Sequence, residues 1–135
     1  MKKYEIGLYE KAMRNTLTWK EKLQCAKECG YDYLEISIDA TEEKINRIYM
    51  DTEEKREIME AIFDTGIPIG SMSVSALTKY ALGDPDQAVR DRGMEIAEKS
   101  IQLSSALGVR TVMIPGYDIY YGESTIETKR YFLEN

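Results

Sequence analysis

The chain contains no histidine and only two cysteines, which removes several chemistries before any motif is read. Without an imidazole, a zinc or iron site would need other ligands, and Cys25 and Cys29 alone supply two soft donors where such sites take about four. The two cysteines stand four apart on a predicted helix, so their side chains share one face and cannot close a disulfide within a regular helical turn. They read as reduced thiols. Nor is there an apolar run near the ~18 to 20 residues of a membrane span. The opening stretch Met1-Lys2-Lys3-Tyr4-Glu5-Ile6-Gly7 lacks the apolar core of a secretory signal, so the expected location is the cytoplasm. An excess of basic residues is lacking too. The net charge is -6, with cations interleaved among acids, which argues against nucleic acid as a partner while leaving room for a small anion held by a few local cations. Finally, no glycine-rich phosphate loop follows the first strand-like segment, where Tyr9-Glu10-Lys11-Ala12-Met13-Arg14 stands instead.

What is present is a repeated unit. With 43% hydrophobic and 31% charged residues, the 135-residue chain has the balance of one globular domain. Three times an amphipathic helix, a glycine able to end it in the left-handed conformation, and a short strand follow one another. The helices run over Leu23–Cys29, Ile58–Thr65 and Ile96–Leu107, closed by Gly30, Gly66 and Gly108, and the strands over Tyr33–Ile38, Pro68–Val74 and Arg110–Ile114. Glycine spacings of 36 and 42 residues suit a whole βα unit. A leading strand over Tyr4–Leu8 and a fourth helix beginning near Ser124 or Thr125 complete the order βαβαβαβα. Thr18 with Glu21 forms a capping box, and Asp84-Pro85 places an acceptor and a proline at the start of the third helix. On that helix Val89, Gly93, Ile96, Ala97, Ser100, Ile101 and Ser104 make the buried stripe, with Arg90 and Asp91 off it.

Such alternation specifies a parallel sheet with right-handed crossovers, either in a closed barrel or in an open doubly wound sheet. Length favours an open, flavodoxin-like sheet, because a (β/α)8 barrel needs about 250 residues. Strand patterning favours the barrel. Tyr33, Glu35, Ser37 and Asp39 alternate with Leu34, Ile36 and Ile38, and Ser71, Ser73 and Ser75 alternate with Gly70, Met72 and Val74, so one face is polar. Strands of an open sheet covered on both faces read as near-continuous apolar runs. The expected fold is therefore α/β: a parallel (βα)4 half of a TIM barrel spanning residues 1–135 and truncated in the fourth helix.

Several segments resemble a known family. Gly7-Leu8-Tyr9-Glu10-Lys11-Ala12, Gly30-Tyr31-Asp32-Tyr33-Leu34-Glu35-Ile36-Ser37-Ile38-Asp39, Thr65-Gly66-Ile67-Pro68 leading to Ser71-Met72, and Gly108-Val109-Arg110-Thr111-Val112 with Gly116-Tyr117-Asp118-Ile119-Tyr120-Tyr121 are similar to the L-ribulose-5-phosphate or L-xylulose-5-phosphate 3-epimerases. These enzymes, long labelled hexulose-6-phosphate isomerases, lie within the xylose-isomerase-like barrels and process the ascorbate breakdown route. One departure stands out: after Ser75-Ala76 the family pattern carries a histidine where this chain has Leu77.

The resemblance implies proton transfer beside a ketone, with two acid/base groups flanking the sugar and a divalent cation (Mn, Mg or Zn) stabilising the enediolate. It further implies that the two Glu, the Asp and the His of that constellation come from strands five to eight, so no metal site and no catalytic residue is expected in this chain. What the four strands offer is a rim at their C-terminal ends, where barrel active sites lie. Candidate contacts to sugar hydroxyls and phosphate are Tyr9, Glu10 and Lys11, then Glu35, Ser37 and Asp39, then Ser75 and Lys79, then Gly116, Tyr117, Asp118, Tyr120 and Tyr121. Structural alternatives stand beside them. Glu35 would bridge polar residues of an interior layer, Asp39 would cap the segment at Thr41 and Glu42, the lysines would be solvated, and the tyrosine run would pack over the mouth; Trp19 and Met13 are left to packing. Two further readings of the whole remain open, a non-catalytic half-barrel module and an open-sheet binding domain. As partners the expectation is a sugar phosphate, neither membrane nor nucleic acid, and self-association through the exposed strand edges.

Overall fold

The computed structural model describes residues 4–135. Four short parallel strands lie in the order β1-β2-β3-β4: β1 (Gly7–Tyr9), β2 (Tyr33–Ser37), β3 (Ile69–Ser73) and β4 (Thr111–Met113). Sequential order is what a barrel wall requires, whereas a flavodoxin-like sheet would place β2 outside β1. The helices are α1 (Trp19–Glu28), a short α2 (Glu42–Ile45), α3 (Thr52–Thr65), α4 (Gln87–Ala106) and α5 (Ile126–Glu134). The strands are shorter than their patterning predicts. Tyr4 to Ile6 lie ahead of β1, with the Ile6 amide donating to Asp32 instead of to a neighbouring strand.

Helix boundaries follow local chemistry. Thr18 and Asp51 each close a capping box, with Glu21 and Glu54, and Thr125 caps α5. At α4 the expectation is off by two residues. Asp86, not Asp84, accepts from the amide of Ala88 and caps the helix, while Asp84 accepts from the amide of Asp86 in the turn ahead of it. Gly30, Gly66 and Gly108 take φ of 79°, 74° and 70°, the left-handed conformation that lets each chain leave its helix for the next strand.

The hydrophobic core lies between sheet and helices. Leu34, Ile36, Ile38, Met72 and Val74 point outward and are fully buried against Leu23, Ile58 and Ile96. The opposite face carries Tyr33, Glu35, Ser37, Ser71 and Ser73 and forms the concave inner wall. There the ring of Tyr33 lies across both neighbouring strands. A Cβ on Gly7 would stand 2.2 Å from it and one on Gly70 2.6 Å, so the two glycines are what lets one aromatic side chain fill this level of the wall. Two residues of α4 depart from the expected stripe. Ile101 is exposed, and Arg90 is buried with its guanidinium 4.1 Å from the ring centre of Tyr131 and bonded to the carbonyls of Asp84 and Pro85, fastening α5 to the start of α4.

Candidate functional site

The C-terminal ends of the strands are tied together by backbone bonds that continue past the ladders. The Ile38 amide donates to Ser73, that of Val74 to Met113 and that of Ala76 back to Ile38. This frame brings four loops to one side and leaves a depression of about 420 Å³ lined by Lys11, Asp39, Ala40, Thr41, Ser75, Thr78, Tyr120 and Tyr121. Five of the residues expected at the rim therefore converge: Lys11, Asp39, Ser75, Tyr120 and Tyr121. Ala40, Thr41 and Thr78 complete the lining without having been expected there, since a threonine in a turn carries no sequence signal that separates a site hydroxyl from a solvated one.

At the centre of this mouth is an ion pair. Lys11 Nζ stands 3.0 Å from Asp39 Oδ2, and Asp39 Oδ1 accepts from both the amide and the hydroxyl of Thr41, at 2.9 and 2.6 Å. Burial alone would favour the neutral form of each partner. For Lys11 the hydrogen bonding and charge of Asp39 and Tyr9 outweigh it and hold the ammonium above its usual range; for Asp39 the Thr41 bonds and Lys11 hold the carboxyl below its usual range. Asp39 thus performs the turn-capping role weighed against it and also lines the mouth. Beside the pair, Ser75 lines the depression, and its hydroxyl is buried with no hydrogen-bond partner among the described residues. Tyr117 and Tyr120 meet at a tilt of 43° with ring centres 5.2 Å apart, and Tyr120 meets Tyr121 edge-on at 4.8 Å. Burial, followed by the neighbouring Tyr120 and Tyr121, pushes the Tyr117 phenol up.

Other expected residues stand elsewhere. Glu35 is on the inner wall, accepting from Ser71 Oγ at 2.6 Å, so it does bridge an interior polar layer. Ser37 is fully buried and paired with the Tyr9 hydroxyl at 3.2 Å. Lys79 is exposed outside the depression, its ammonium 5.3 Å from the ring centre of Tyr80. Asp118 is drawn into structure: its carboxylate accepts from Ser124 and Thr128 at the start of α5, which holds it below its usual range, and its carbonyl accepts from the Gly83 amide.

Glu10 requires the largest correction, because it is 1% exposed and faces away from the mouth. Arg47 grips it in a fork, Nη1 to Oε2 and Nη2 to Oε1, each at 2.7 Å. Lys22 Nζ adds a bond at 2.8 Å, the Ser37 amide one at 2.9 Å, and Lys44 Nζ lies at 3.4 Å. Burial pushes this carboxyl up; Arg47, Lys22 and the Ser37 amide more than reverse that and hold it at about 2. Both Lys22 and Arg47 lie over the Trp19 ring, each 4.8 Å from its centre, which adds cation–π contacts to its packing role. A signal for the cluster was present: Lys22 sits beside Leu23 and four before Ala26 on the buried stripe of α1, and a lysine there has to find a partner.

No three His, Cys, Asp or Glu among the described residues come together to hold a metal ion, and Glu10, Glu35, Asp39 and Asp118 are each taken up by neighbours. A divalent cation therefore does not fit the residues present here, and this wall offers hydroxyls and one ion pair instead. Residues 23–135 match the family described as xylose isomerase-like TIM barrel. The chain belongs to that family. Among curated relatives of this barrel family, it is 41% identical over 134 residues to a putative L-ribulose-5-phosphate 3-epimerase of Haemophilus influenzae, covering 99% of this chain and 47% of that protein. It is 40% identical over 131 residues to an L-ribulose-5-phosphate 3-epimerase of Escherichia coli O157:H7, covering 97% and 46%. The chain spans about half the length of the curated relatives it matches. In fold it aligns with D-psicose 3-epimerase from Clostridium cellulolyticum H10 at a TM-score of 0.71 and 14% identity, over 97% of this chain and 45% of the other. The sheet is thus a four-strand half of the family's barrel, and no helix among the described residues is long and apolar enough to cross a membrane.

Proposed function

We propose that this chain forms the sugar-gripping half of an epimerase acting on a phosphorylated ketopentose, of the L-ribulose-5-phosphate 3-epimerase kind. The observation that carries the reading is the mouth itself. The Lys11–Asp39 pair, the unpartnered Ser75 hydroxyl, Thr41 and the two tyrosines surround a space of about 420 Å³ at the end of the strands where barrel enzymes bind substrate. Hydroxyls that both donate and accept suit a polyol, the tyrosine rings offer faces to its C–H groups, and a fixed ion pair presents one donor and one acceptor in a set direction. Epimerisation beside a ketone needs a base on one face and an acid on the other, with a divalent cation supplying charge stabilisation in the family. The residues described here bind and orient. On this reading the intact protein works in the cytoplasm, in the ascorbate breakdown route.

The test is a titration of the labelled chain with L-ribulose 5-phosphate, followed by NMR. Amides of Lys11, Asp39, Ser75, Tyr120 and Tyr121 are expected to shift together, and Lys11→Ala to weaken binding by about 0.5 to 1.5 kcal/mol, a modest value because the pair is part-exposed. Lys79→Ala, outside the mouth, is expected to leave it unchanged. The chain by itself is expected to turn over none of the sugar with added manganese or magnesium. Shifts confined to other surfaces, or a turnover proportional to protein and removed by a chelator, would sink the reading.

A further inference from the structure

The polar groups lining the mouth differ in what they have left to offer a ligand. Thr41 donates its hydroxyl proton to Asp39 Oδ1 at 2.6 Å, and Thr78 donates its own to the Ser75 carbonyl at 2.8 Å. With those protons committed, both oxygens are left with lone pairs alone, and the Asp39 carboxylate accepts only. Backbone donors are committed as well: the Thr41 amide donates to Asp39 and the Ala76 amide to the Ile38 carbonyl, both at 2.9 Å. The helix that begins at this border, α2, has four residues and opens with Glu42 and Glu43. Lys11 is the one cation lining the depression among the described residues, and Asp39 Oδ2 lies 3.0 Å from its Nζ. Lys22, Lys44 and Arg47 are buried and turned to Glu10. A phosphoryl oxygen bonded to the Lys11 ammonium at about 2.8 Å would stand within about 6 Å of the carboxylate, so a group carrying about two negative charges would share a single cation with Asp39. Nor has a phosphoryl dianion any proton to give to the acceptors, whereas each hydroxyl of a polyol has one.

We propose that this depression takes the hydroxyl-bearing part of the sugar and excludes its phosphoryl group, so that the residues lining it recognise a neutral ketopentose and its 5-phosphate alike. Asp39 Oδ2, Thr41 and Thr78 accept from sugar hydroxyls, while Lys11 and the unpartnered Ser75 hydroxyl donate to sugar oxygens. The phosphoryl group of a bound substrate lies outside the depression. This inference rests on the sugar-binding reading and deepens it, by assigning which part of the substrate meets these four loops.

The experiment titrates the full isotope-labelled chain separately with L-ribulose, L-ribulose 5-phosphate and inorganic phosphate, and follows the amides of Lys11, Asp39, Thr41, Ser75 and Thr78 by NMR. The two sugars are expected to shift the same amides with affinities within about threefold of each other, and raising salt from about 20 to 300 mM to change neither by more than about twofold. Inorganic phosphate is expected to shift none of them and to displace neither sugar. Asp39→Asn keeps the shape but frees Lys11 from its counter-charge. It is expected to weaken both sugars by the same factor, about three- to tenfold, whereas a phosphoryl group held beside Lys11 would bind tighter once the carboxylate is gone. Thr78→Val removes an acceptor without touching the ion pair and is expected to weaken both sugars equally, which keeps the test open if Asp39→Asn disturbs the loop. Mouth shifts with the 5-phosphate but not with L-ribulose, displacement by inorganic phosphate, or tighter binding of the 5-phosphate to Asp39→Asn would each overturn the inference and leave the sugar-binding reading standing. Shifts with L-ribulose alone would uphold the inference and overturn the phosphorylated substrate. No mouth shift with either sugar would overturn both.

Discussion

Replacing Glu10 by glutamine isolates the buried charge cluster. The carboxylate is 1% exposed and accepts from Arg47, Lys22 and the Ser37 amide, with Lys44 at 3.4 Å. Glutamine keeps the shape but removes the one negative charge that, among the described residues, is paired with the buried cations Lys22, Lys44 and Arg47. Breaking a buried pair from one side costs about 3 to 5 kcal/mol, because the remaining charges lose their compensation and stay desolvated. In a domain with roughly 5 to 15 kcal/mol of stability, that corresponds to a fall in Tm of roughly 10 to 20 °C. The control is Lys20→Ala, which breaks an exposed pair with Asp64 and is expected to cost about 1 kcal/mol or less. The pH dependence gives an independent reading. The Glu10 carboxyl is lowered from its usual 4.5 to about 2, so the native state holds the charged form more tightly than the unfolded chain does. Its contribution is therefore fully present above pH 4.5 and is lost as pH falls toward 2, an amount of about 3 kcal/mol. Urea unfolding at pH 7, 4.5, 3 and 2.5 is expected to show this loss in the parent chain and its absence in Glu10→Gln. Equal costs for Glu10→Gln and Lys20→Ala at pH 7, or the same acid dependence in parent and variant, would refute the reasoning.

Two further substitutions probe close approach of backbone. In Gly83→Ala the new Cβ would lie 2.4 Å from the Thr128 carbonyl oxygen and 2.6 Å from that of Asp118, both backbone, so α5 has to move; a loss of about 1 to 3 kcal/mol and faster hydrogen exchange in α5 alone are expected. In Gly70→Ala the Cβ would meet the Tyr33 ring at 2.6 Å, and ejection of that ring from the inner wall is expected to appear as a lost near-UV signal with far-UV dichroism preserved.

Much of this architecture was legible because it is local. The capping box at Thr18, the left-handed glycines at 30, 66 and 108, and the polar alternation along β2 are each written within a few residues, and each is found in the structure; on β3 Gly70, expected on the apolar face, instead meets the Tyr33 ring where the β2–β3 register shifts. Resemblance carried the family to the right group of barrels. The strand ends were overestimated, since Tyr4 to Ile6 have strand-like composition but lie ahead of the ladder, where Ile6 is held by the amide and carboxylate of Asp32. The α4 cap was misplaced because two aspartates in one turn compete for the same role, and only the backbone path chooses between them.

The composition and periodicity of the chain by themselves determined an α/β unit with a polar inner wall, since helix and strand periods and glycine stops act over distances a sequence spells out directly. Which polar residues share a space was decided by the tertiary structure alone. Glu10 and Lys11 are adjacent in sequence, yet one carboxylate is buried beneath Arg47, 37 residues away, and the neighbouring ammonium opens onto the mouth beside Asp39. Both lie on the 3₁₀ turn that follows β1, where successive side chains point in different directions, and what each meets there is brought by loops far along the chain, so burial, and with it the charge and role of each group, is set by packing over long range.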